Sequence, residues 1–351
     1  MPEAPTSLGE IAKRVDARID EVLSAETTRW SAVDPAMHEP LRVLREFVLA
    51  GGKRLRPAFC FWAYVGAGGD AADSAVIDAG AALELLHTFA LVHDDIMDNS
   101  HRRRGLDTVH RHFEAVHEEF GWRGEQRRFG EGAAILIGDL AFVYADTLLR
   151  TAPQSALDIY TELRLEVNVG QYLDLLGTVR GDASVDFARK ICAYKSGKYT
   201  VERPLHLGAA LAGRLPELQG PLSAYGDPLG EAFQLRDDLL GTFGDATITG
   251  KPVGEDLRDG KPTTMYARAR ESATGTDAQL LATRYGANDL SPDEVATIQG
   301  VFERTGARAA TEAMVDSLVD QALSALAAAP LSAEARGELD ALARFVAERD
   351  F

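Results

Sequence analysis

Apolar residues recur at helical spacing along almost the whole chain, and the alternating runs typical of β-strands are scarce. Residues 71–98 are rich in Ala and Leu and contain no Pro, which predicts one long buried helix. We therefore expect an all-α fold, a helical bundle around a central apolar cavity, in one domain over residues 1–351. The same spacing predicts further helices over residues 7–22, 132–150, 156–176, 187–212 and 332–348.

Polar residues indicate where helices begin and where the helical pattern breaks. Ser7 and Glu10 have capping-box spacing, and Ser291-Pro292-Asp293-Glu294 has it with Pro at the first helical position. From Ser291 we expect a helical run to residue 329. The charge and Gly content of residues 114–131 predicts a surface connection, and the Gly- and Pro-rich residues 242–264 predict a long loop of the kind that forms lids.

The charge balance is strongly acidic, because 37 Lys and Arg stand against 54 Asp and Glu and give a net charge of −17. This argues against a nucleic-acid partner. The polar N-terminus lacks a signal-peptide core, and no run approaches the roughly 20 uninterrupted apolar residues that cross a bilayer. Cys60 and Cys192 lie in apolar surroundings and are expected to be free thiols. We expect a cytoplasmic protein without a membrane span.

The first acidic cluster, Asp94-Asp95-Ile96-Met97-Asp98, ends the apolar stretch 79–92. Asp94 and Asp98 are four residues apart and share one helix face, whereas Asp95 points about 100° away. Carboxylate oxygens combined with phosphate and water are the ligands that suit Mg²⁺. A solvated or salt-bridged acidic patch is the alternative, but a buried helix that ends in three aspartates favours a site.

The second acidic cluster is Asp237-Asp238, which follows Phe233 and Gln234. The residue four positions after Asp237 is Gly241, so the one-face pair of the first cluster is missing here. We expect a weaker metal site, or one that binds partly through water. A charge pair at a helix end is the alternative.

Basic residues are grouped in four other places along the chain: Arg102-Arg103-Arg104, Gly51-Gly52-Lys53-Arg54-Leu55-Arg56-Pro57, Lys195-Ser196-Gly197-Lys198, and the pair Lys251 and Lys261. Guanidinium groups bind phosphate in a bidentate manner, and glycines let backbone N–H groups approach an anion. Each group alone could be a solvated face or could pair with the aspartates. Together they carry enough charge to hold two diphosphates.

In this combination and order the motifs resemble those of trans-type polyprenyl diphosphate synthases, the short-chain class that includes farnesyl and geranylgeranyl diphosphate synthases. The resemblance covers about residues 51–264. It comprises GGKRLRP, His87, DDIMD, RRG, Gly138-Asp139, Gly170-Gln171, Lys195-Ser196, FQLRDD, and the loop with Lys251 and Lys261.

The resemblance implies an isoprenoid synthase-type bundle, working as a homodimer. It implies Mg²⁺-dependent head-to-tail (1'-4) condensation of isopentenyl diphosphate with dimethylallyl, geranyl or farnesyl diphosphate. The isopentenyl diphosphate site would comprise Gly52, Lys53, Arg56, His87 and Arg104. The allylic diphosphate site would comprise Arg103, Lys195, Ser196, Gln234, Lys251 and Lys261. Asp94, Asp98 and Asp237 would bind three Mg²⁺, supported by Asp95 and Asp238. The chain departs from the family at Gly241, where many members have Asp, and at Ser196, where Thr is usual.

The product length is expected to depend on Phe89 and Ala90, which lie five and four residues before Asp94. An aromatic residue beside a small one, with no insertion in DDIMD, resembles the geranylgeranyl (C20) type. The alternative is that Phe89 belongs to the core. A C15 product is the close competitor, and longer products are less expected.

Two other classes remain open from the sequence. A class I terpene cyclase shares the DDxxD motif but typically has an Asn/Ser/Glu metal motif where this chain has Asp237-Asp238, and it does not need GGKRLRP. A non-catalytic synthase subunit usually loses one aspartate motif, and both largely remain here.

Overall fold

The computed structural model describes residues 4–181, 184–244 and 254–348, and their fold is helical, as expected from the sequence. A π-helix (Cys192–Glu202) joins α8 to α9, and a small hairpin pairs Arg102–Arg103 with Leu106–Asp107. The helices are α1 (Thr6–Ser31), α2 (His38–Leu49), α3 (Leu55–Gly66), α4 (Ser74–Met97), α5 (Val109–Glu119), α6 (Gln126–Leu149), α7 (Gln154–Arg180), α8 (Val185–Ile191), α9 (Arg203–Leu211), α10 (Leu215–Phe243), α11 (Glu255–Asp259), α12 (Thr264–Ser272), α13 (Gly275–Arg284), α14 (Pro292–Arg304), α15 (Ala307–Ala328) and α16 (Ala333–Glu348).

Helix α4 lies at the centre of the bundle, in contact with α1, α2, α3, α5, α6 and α9. Asp73 caps its N-terminus by accepting a hydrogen bond from the backbone of Ala75 at 2.9 Å. Most of its side chains are buried on every side, as expected for a helix that is apolar all round. Its C-terminal turn, which carries the first acidic cluster, therefore has a fixed position inside the protein.

Helices α4 and α6 are both long and apolar enough to cross a membrane by length and composition. This is weak evidence, because the core helix of a soluble protein passes the same test. The most apolar window of α4 is 67% buried inside the bundle, and that of α6 is 39% buried. Burial in the bundle therefore explains the apolar composition of α4, whereas α6 keeps an apolar side that is exposed.

Close packing of glycines holds the π-helix between α7 and α10. A Cβ at Gly170 in α7 would lie 2.2 Å from the backbone nitrogen of Lys195, and one at Gly230 in α10 would lie 2.6 Å from the Cα of Gly197. Such contacts tolerate only glycine. They place Lys195 and Ser196 between two helices that also line the site. π-Helical turns are frequent at functional sites.

Several predicted boundaries differ from the structure. The expected capping box at Ser7 is wrong, because α1 begins at Thr6 and the Ser7 hydroxyl binds the carboxylate of Glu338. The capping box at Ser291 is confirmed, but the following run is two helices, because the chain turns at Gly306 with a φ of 73°. The surface connection shrinks to residues 120–125, because Gly130 packs within α6 against the backbone of His110.

Candidate active site

The last turn of α4 brings Asp94 and Asp98 to the edge of a cavity of about 410 Å³. Asp95 is fully buried and binds Arg103 at 2.7 Å, so it faces away from that pair as its helical position predicted. The hairpin after α4 makes this contact possible, because it turns the chain back at Arg104 and Gly105, both with positive φ. The cavity is lined by residues that include Asp94, Asp98, Arg103, Asp174, Lys195, Ser196, Gln234, Asp237, Asp238, Gly241, Asp256, Asp259 and Lys261.

Three cations in the cavity are paired with carboxylates. Lys195 Nζ lies 2.6 Å from Asp174 and 3.2 Å from Asp94, whereas Lys261 Nζ lies 2.6 Å from Asp98 and 3.4 Å from Asp174. Arg103 reaches Asp94 at 3.4 Å in addition to Asp95. The cavity is thus an interlaced set of positive and negative groups.

Asp174 was missed by the sequence analysis, although it joins the two lysines. It is buried in α7, three residues after Gln171, whose side-chain amide donates to Asp94 at 2.9 Å. Residues three apart share a helix face, so the Gly170-Gln171 motif carried a signal for it.

The pairing keeps these groups charged. Burial raises the pKa of Asp94, but Lys195, Lys261 and Arg103 outweigh it and hold that pKa below its ordinary value. Burial lowers the pKa of Lys195 and of Lys261, but the aspartates reverse this and raise both pKa values. Asp94, on the cavity side formed by the last turn of α4 (the α4 wall), therefore stays ionised at neutral pH, and so do both lysines.

The opposite wall, on α10, brings several carboxylates close together. Gln234 donates to Asp238 at 2.7 Å, and Asp238 is almost fully buried. Burial raises the pKa of Asp238 well above its ordinary value, and the carboxylates of Asp256 and Asp237 raise it further. Like charges held this close favour a bound cation.

The donor set fits Mg²⁺ held jointly with a phosphate ligand. Within the described ranges, no three His, Cys, Asp or Glu side chains converge into a closed metal cage. Open carboxylate walls are the usual arrangement for Mg²⁺, which keeps water and takes ligands from substrate phosphates. Asp94 and Asp98 on one side and Asp237 on the other are placed to supply oxygens.

A second group of basic side chains, the cationic pocket, comprises Arg56, His87 and Arg104 beside Tyr199 and Thr200. Arg56 donates to the Thr200 hydroxyl at 2.7 Å and stacks over the ring of Tyr199, whose hydroxyl lies 2.8 Å from His87 Nδ1. Arg56 Nε is buried without a hydrogen-bond partner in the part of the chain that the structure describes. Desolvation lowers the pKa of His87, and Arg56 and Arg104 lower it further. An anion would satisfy these groups.

The structure separates the cations of GGKRLRP. Gly52 has a φ of 127° and lies against the guanidinium of Arg104, 2.9 Å from where its Cβ would be. Arg54 turns inward and pairs with Asp16 at 2.8 Å and Glu84 at 2.7 Å. Lys53 lies 5.8 Å from the ring of Phe345. Arg54 is therefore a structural residue.

Phe89 and Ala90, the residues expected to set product length, lie on α4, and Phe89 lies on the side that faces α6. The Phe89 ring is partly buried, 4.6 Å from that of His93 and 4.9 Å from that of Phe142 on α6. Ala90 is partly buried. Lys251 lies outside the described residues.

The sequence model of the polyprenyl synthetase family matches residues 38–301. The chain belongs to this family. It is 32% identical over 333 residues to a short chain isoprenyl diphosphate synthase of Methanothermobacter thermautotrophicus, covering 93% of this chain and 96% of the relative. It is 30% identical to a geranylfarnesyl diphosphate synthase of Aeropyrum pernix, covering 86% and 92%.

The fold agrees with that of solved family members. A geranylgeranyl pyrophosphate synthase of Corynebacterium glutamicum, complexed with isoprenyl diphosphate and magnesium, superposes with a TM-score of 0.92 at 37% identity. The match covers 97% of this chain and 99% of that one. The protein is a prenyltransferase with the all-α fold of polyprenyl synthases.

Proposed function

We propose that the protein condenses isopentenyl diphosphate head to tail with an allylic diphosphate in a Mg²⁺-dependent reaction, and that the product is geranylgeranyl diphosphate. One observation carries the proposal. The adjacent residues Arg103 and Arg104 face different regions, the first toward the aspartates of the cavity and the second toward Gly52 in the cationic pocket. Two diphosphates bound there would lie side by side.

In the proposal the cavity holds the allylic diphosphate. Mg²⁺, three ions per site, would be held by Asp94, Asp98 and Asp237 and would supply Lewis-acid stabilisation of the departing diphosphate, worth several kcal/mol. Arg103, Lys195, Ser196, Gln234, Lys251 and Lys261 would bind its oxygens. Asp95 and Asp238 would orient Arg103 and Gln234. Asp174 would position both lysines.

The cationic pocket would hold isopentenyl diphosphate through Gly52, Lys53, Arg56, His87 and Arg104. The double bond of this substrate attacks the allylic carbocation, and a proton is then lost to the released diphosphate. The apolar helices exclude water, which would otherwise capture the cation.

The C20 product is proposed from Phe89, whose ring meets that of Phe142 and would close the elongation space. Sequence identity to relatives does not discriminate between product lengths. A farnesyl diphosphate synthase of Mycobacterium tuberculosis and an octaprenyl diphosphate synthase of Escherichia coli are both 32% identical to this chain. Replacing Phe89 with Ala should lengthen the product by at least one C5 unit. An unchanged product would reject this role.

We also propose a homodimer through the outer faces of α6 and α7. Leu136 and Val169 are 65% and 51% exposed there, and these helices carry other exposed apolar side chains that a monomer would leave in water. Sedimentation should show a dimer that Leu136→Arg disrupts. The matched control is Val33→Arg, which changes an exposed valine after α1. A monomeric native protein would contradict the proposal.

The direct test is incubation with isopentenyl diphosphate and each allylic diphosphate, with Mg²⁺ or with excess EDTA, followed by mass spectrometry of the dephosphorylated product. We expect a C20 product that requires Mg²⁺. Release of diphosphate without chain extension would indicate a terpene cyclase, and no turnover would indicate a non-catalytic subunit.

A further inference from the structure

Gly241 gives the α10 wall no carboxylate, but the carboxylate of Asp256 lies where a side chain at position 241 would be. A Cβ built on Gly241 would lie 2.2 Å from Oδ2 of Asp256 and 3.7 Å from its Oδ1. Position 241 is one helical turn after Asp237 and on the same face. The Asp256 carboxylate therefore bears nearly the same relation to Asp237 that Asp98 bears to Asp94.

The short helix α11 is fixed in this position from two sides. Gly254, with a φ of 80°, donates its backbone N–H to the carbonyl of Gly241 at 3.3 Å and packs on Val295. Leu257 in the middle of α11 is buried, and its carbonyl accepts a hydrogen bond from Gly286 at 2.8 Å. The approach of Asp256 to Gly241 is thus built into the backbone.

We propose that Asp256 supplies from α11 the carboxylate that Gly241 does not, so that Asp237 and Asp256 together form the second metal-binding wall. This inference rests on the proposed function. A side chain at position 241 would displace the carboxylate of Asp256, because its Cβ would lie only 2.2 Å from Oδ2 of Asp256.

The segment that carries Asp256 also connects the α10 wall with the α4 wall. The backbone carbonyl of Asp256 accepts a hydrogen bond from the N–H of Lys261 at 3.1 Å, and the Lys261 ammonium reaches Asp98 at 2.6 Å. One segment of six residues thus carries an acid of the α10 wall and a cation that touches the α4 wall. Metal binding at Asp256 would fix Lys261 at the same time.

A double-mutant cycle tests the proposal, with Mn²⁺ as the metal probe and inorganic diphosphate as the anion. Free Mn²⁺ is measured by electron paramagnetic resonance, which does not depend on turnover. Asp256→Asn should weaken Mn²⁺ binding about 10- to 100-fold, the range for lost partners at metal sites. Gly241→Asp alone should also weaken it, because the new side chain collides with Asp256. Gly241→Asp with Asp256→Ala should regain most of the binding.

The matched control is Asp316→Asn, which removes the same charge from an exposed position of α15. Melting temperatures of all variants check that each is folded. The proposal is overturned if Asp256→Asn binds Mn²⁺ as the control does, or if the double variant binds no better than Asp256→Ala. If the native protein fails to condense prenyl substrates while the double-mutant cycle behaves as predicted, the proposed function is rejected and the metal-binding role of Asp256 is kept.

Discussion

The cavity and the cationic pocket of this protein differ in how their charges are balanced. In the cavity, Arg103, Lys195 and Lys261 are each paired with aspartates. In the cationic pocket, Arg56 and Arg104 have no ion pair within the described ranges, and Glu84, the nearby buried acid, is paired with Arg54. The cations of the cavity are thus balanced by carboxylates, whereas the two arginines of the cationic pocket have no such partner among the described residues.

Under the proposed function, this difference predicts that the cavity needs metal and that the cationic pocket does not. A diphosphate entering the cavity would draw the lysines away from Asp94, Asp98 and Asp174, and these carboxylates would then be left largely buried and unpaired, at high cost. Divalent cations that take the carboxylates remove this cost, so metal and diphosphate should bind together. The pocket presents preassembled positive charge and needs no such exchange.

The largest expected effect comes from breaking the carboxylate walls. Asp94→Ala and Asp237→Ala should each lower kcat/KM on the order of 10³-fold, because metal stabilisation of several kcal/mol is lost. Steady-state kinetics measure the loss, with Asp316→Ala as the control for the charge removed. Two folded variants that keep native rates would remove the basis for the comparison.

The next largest effect tests whether the cationic pocket binds its substrate independently of the cavity. Arg56→Gln should raise KM for isopentenyl diphosphate about 10- to 100-fold, as expected for lost hydrogen bonds to a charged group. KM for the allylic substrate should stay unchanged, because Arg56 has no contact with the cavity aspartates. A matched variant, Arg304→Gln, changes an arginine that pairs with Asp277 near the surface, away from both regions. Equal increases for both substrates would mean that the regions are not separate.

Asp174→Asn should have a smaller effect, confined to the cavity. The variant keeps the shape of the side chain but weakens its hold on Lys195 and Lys261, and activity should fall about 10-fold. The pH profile of kcat should shift to lower pH at its alkaline limb, because the lysine pKa values lose a contribution from Asp174. A loss of rate with an unmoved profile would assign Asp174 a merely structural role.

The smallest effect concerns His87. Because the folded-state pKa of His87 lies well below its usual 6.5, the unfolded chain takes up a proton there first as pH falls. The stabilisation is complete above pH 6.5 and declines below it. Relative to His87→Gln, the native protein should lose about 1 kcal/mol of unfolding free energy by pH 5.5. Urea unfolding at several pH values measures it, and parallel curves would show that His87 does not stay neutral.

Local pattern was enough for features that depend on helical geometry. The i, i+4 spacing placed Asp94 and Asp98 on one face and Asp95 on another, as the structure has them. The missing partner of Asp237 at Gly241 was equally visible. These relations stay within one helix, so no knowledge of packing is needed.

Features that depend on distant segments could not be predicted in this way. Arg54 and Arg56 look equivalent in GGKRLRP, and only Asp16 and Glu84, brought in by α1 and α4, turn Arg54 inward. Asp256 reaches Gly241 from fifteen residues along the chain by a turn at Gly254. Ser7 was expected to cap its own helix and instead binds Glu338 on α16.

The most direct test of the account is calorimetric titration of the protein with each substrate class in Mg²⁺ and again in excess EDTA. Isopentenyl diphosphate and a non-reactive thio analogue of the allylic diphosphate serve as the two ligands. The account predicts that isopentenyl diphosphate keeps its affinity in EDTA, whereas the allylic analogue loses measurable binding. Equal affinity of the allylic analogue with and without Mg²⁺ would contradict it.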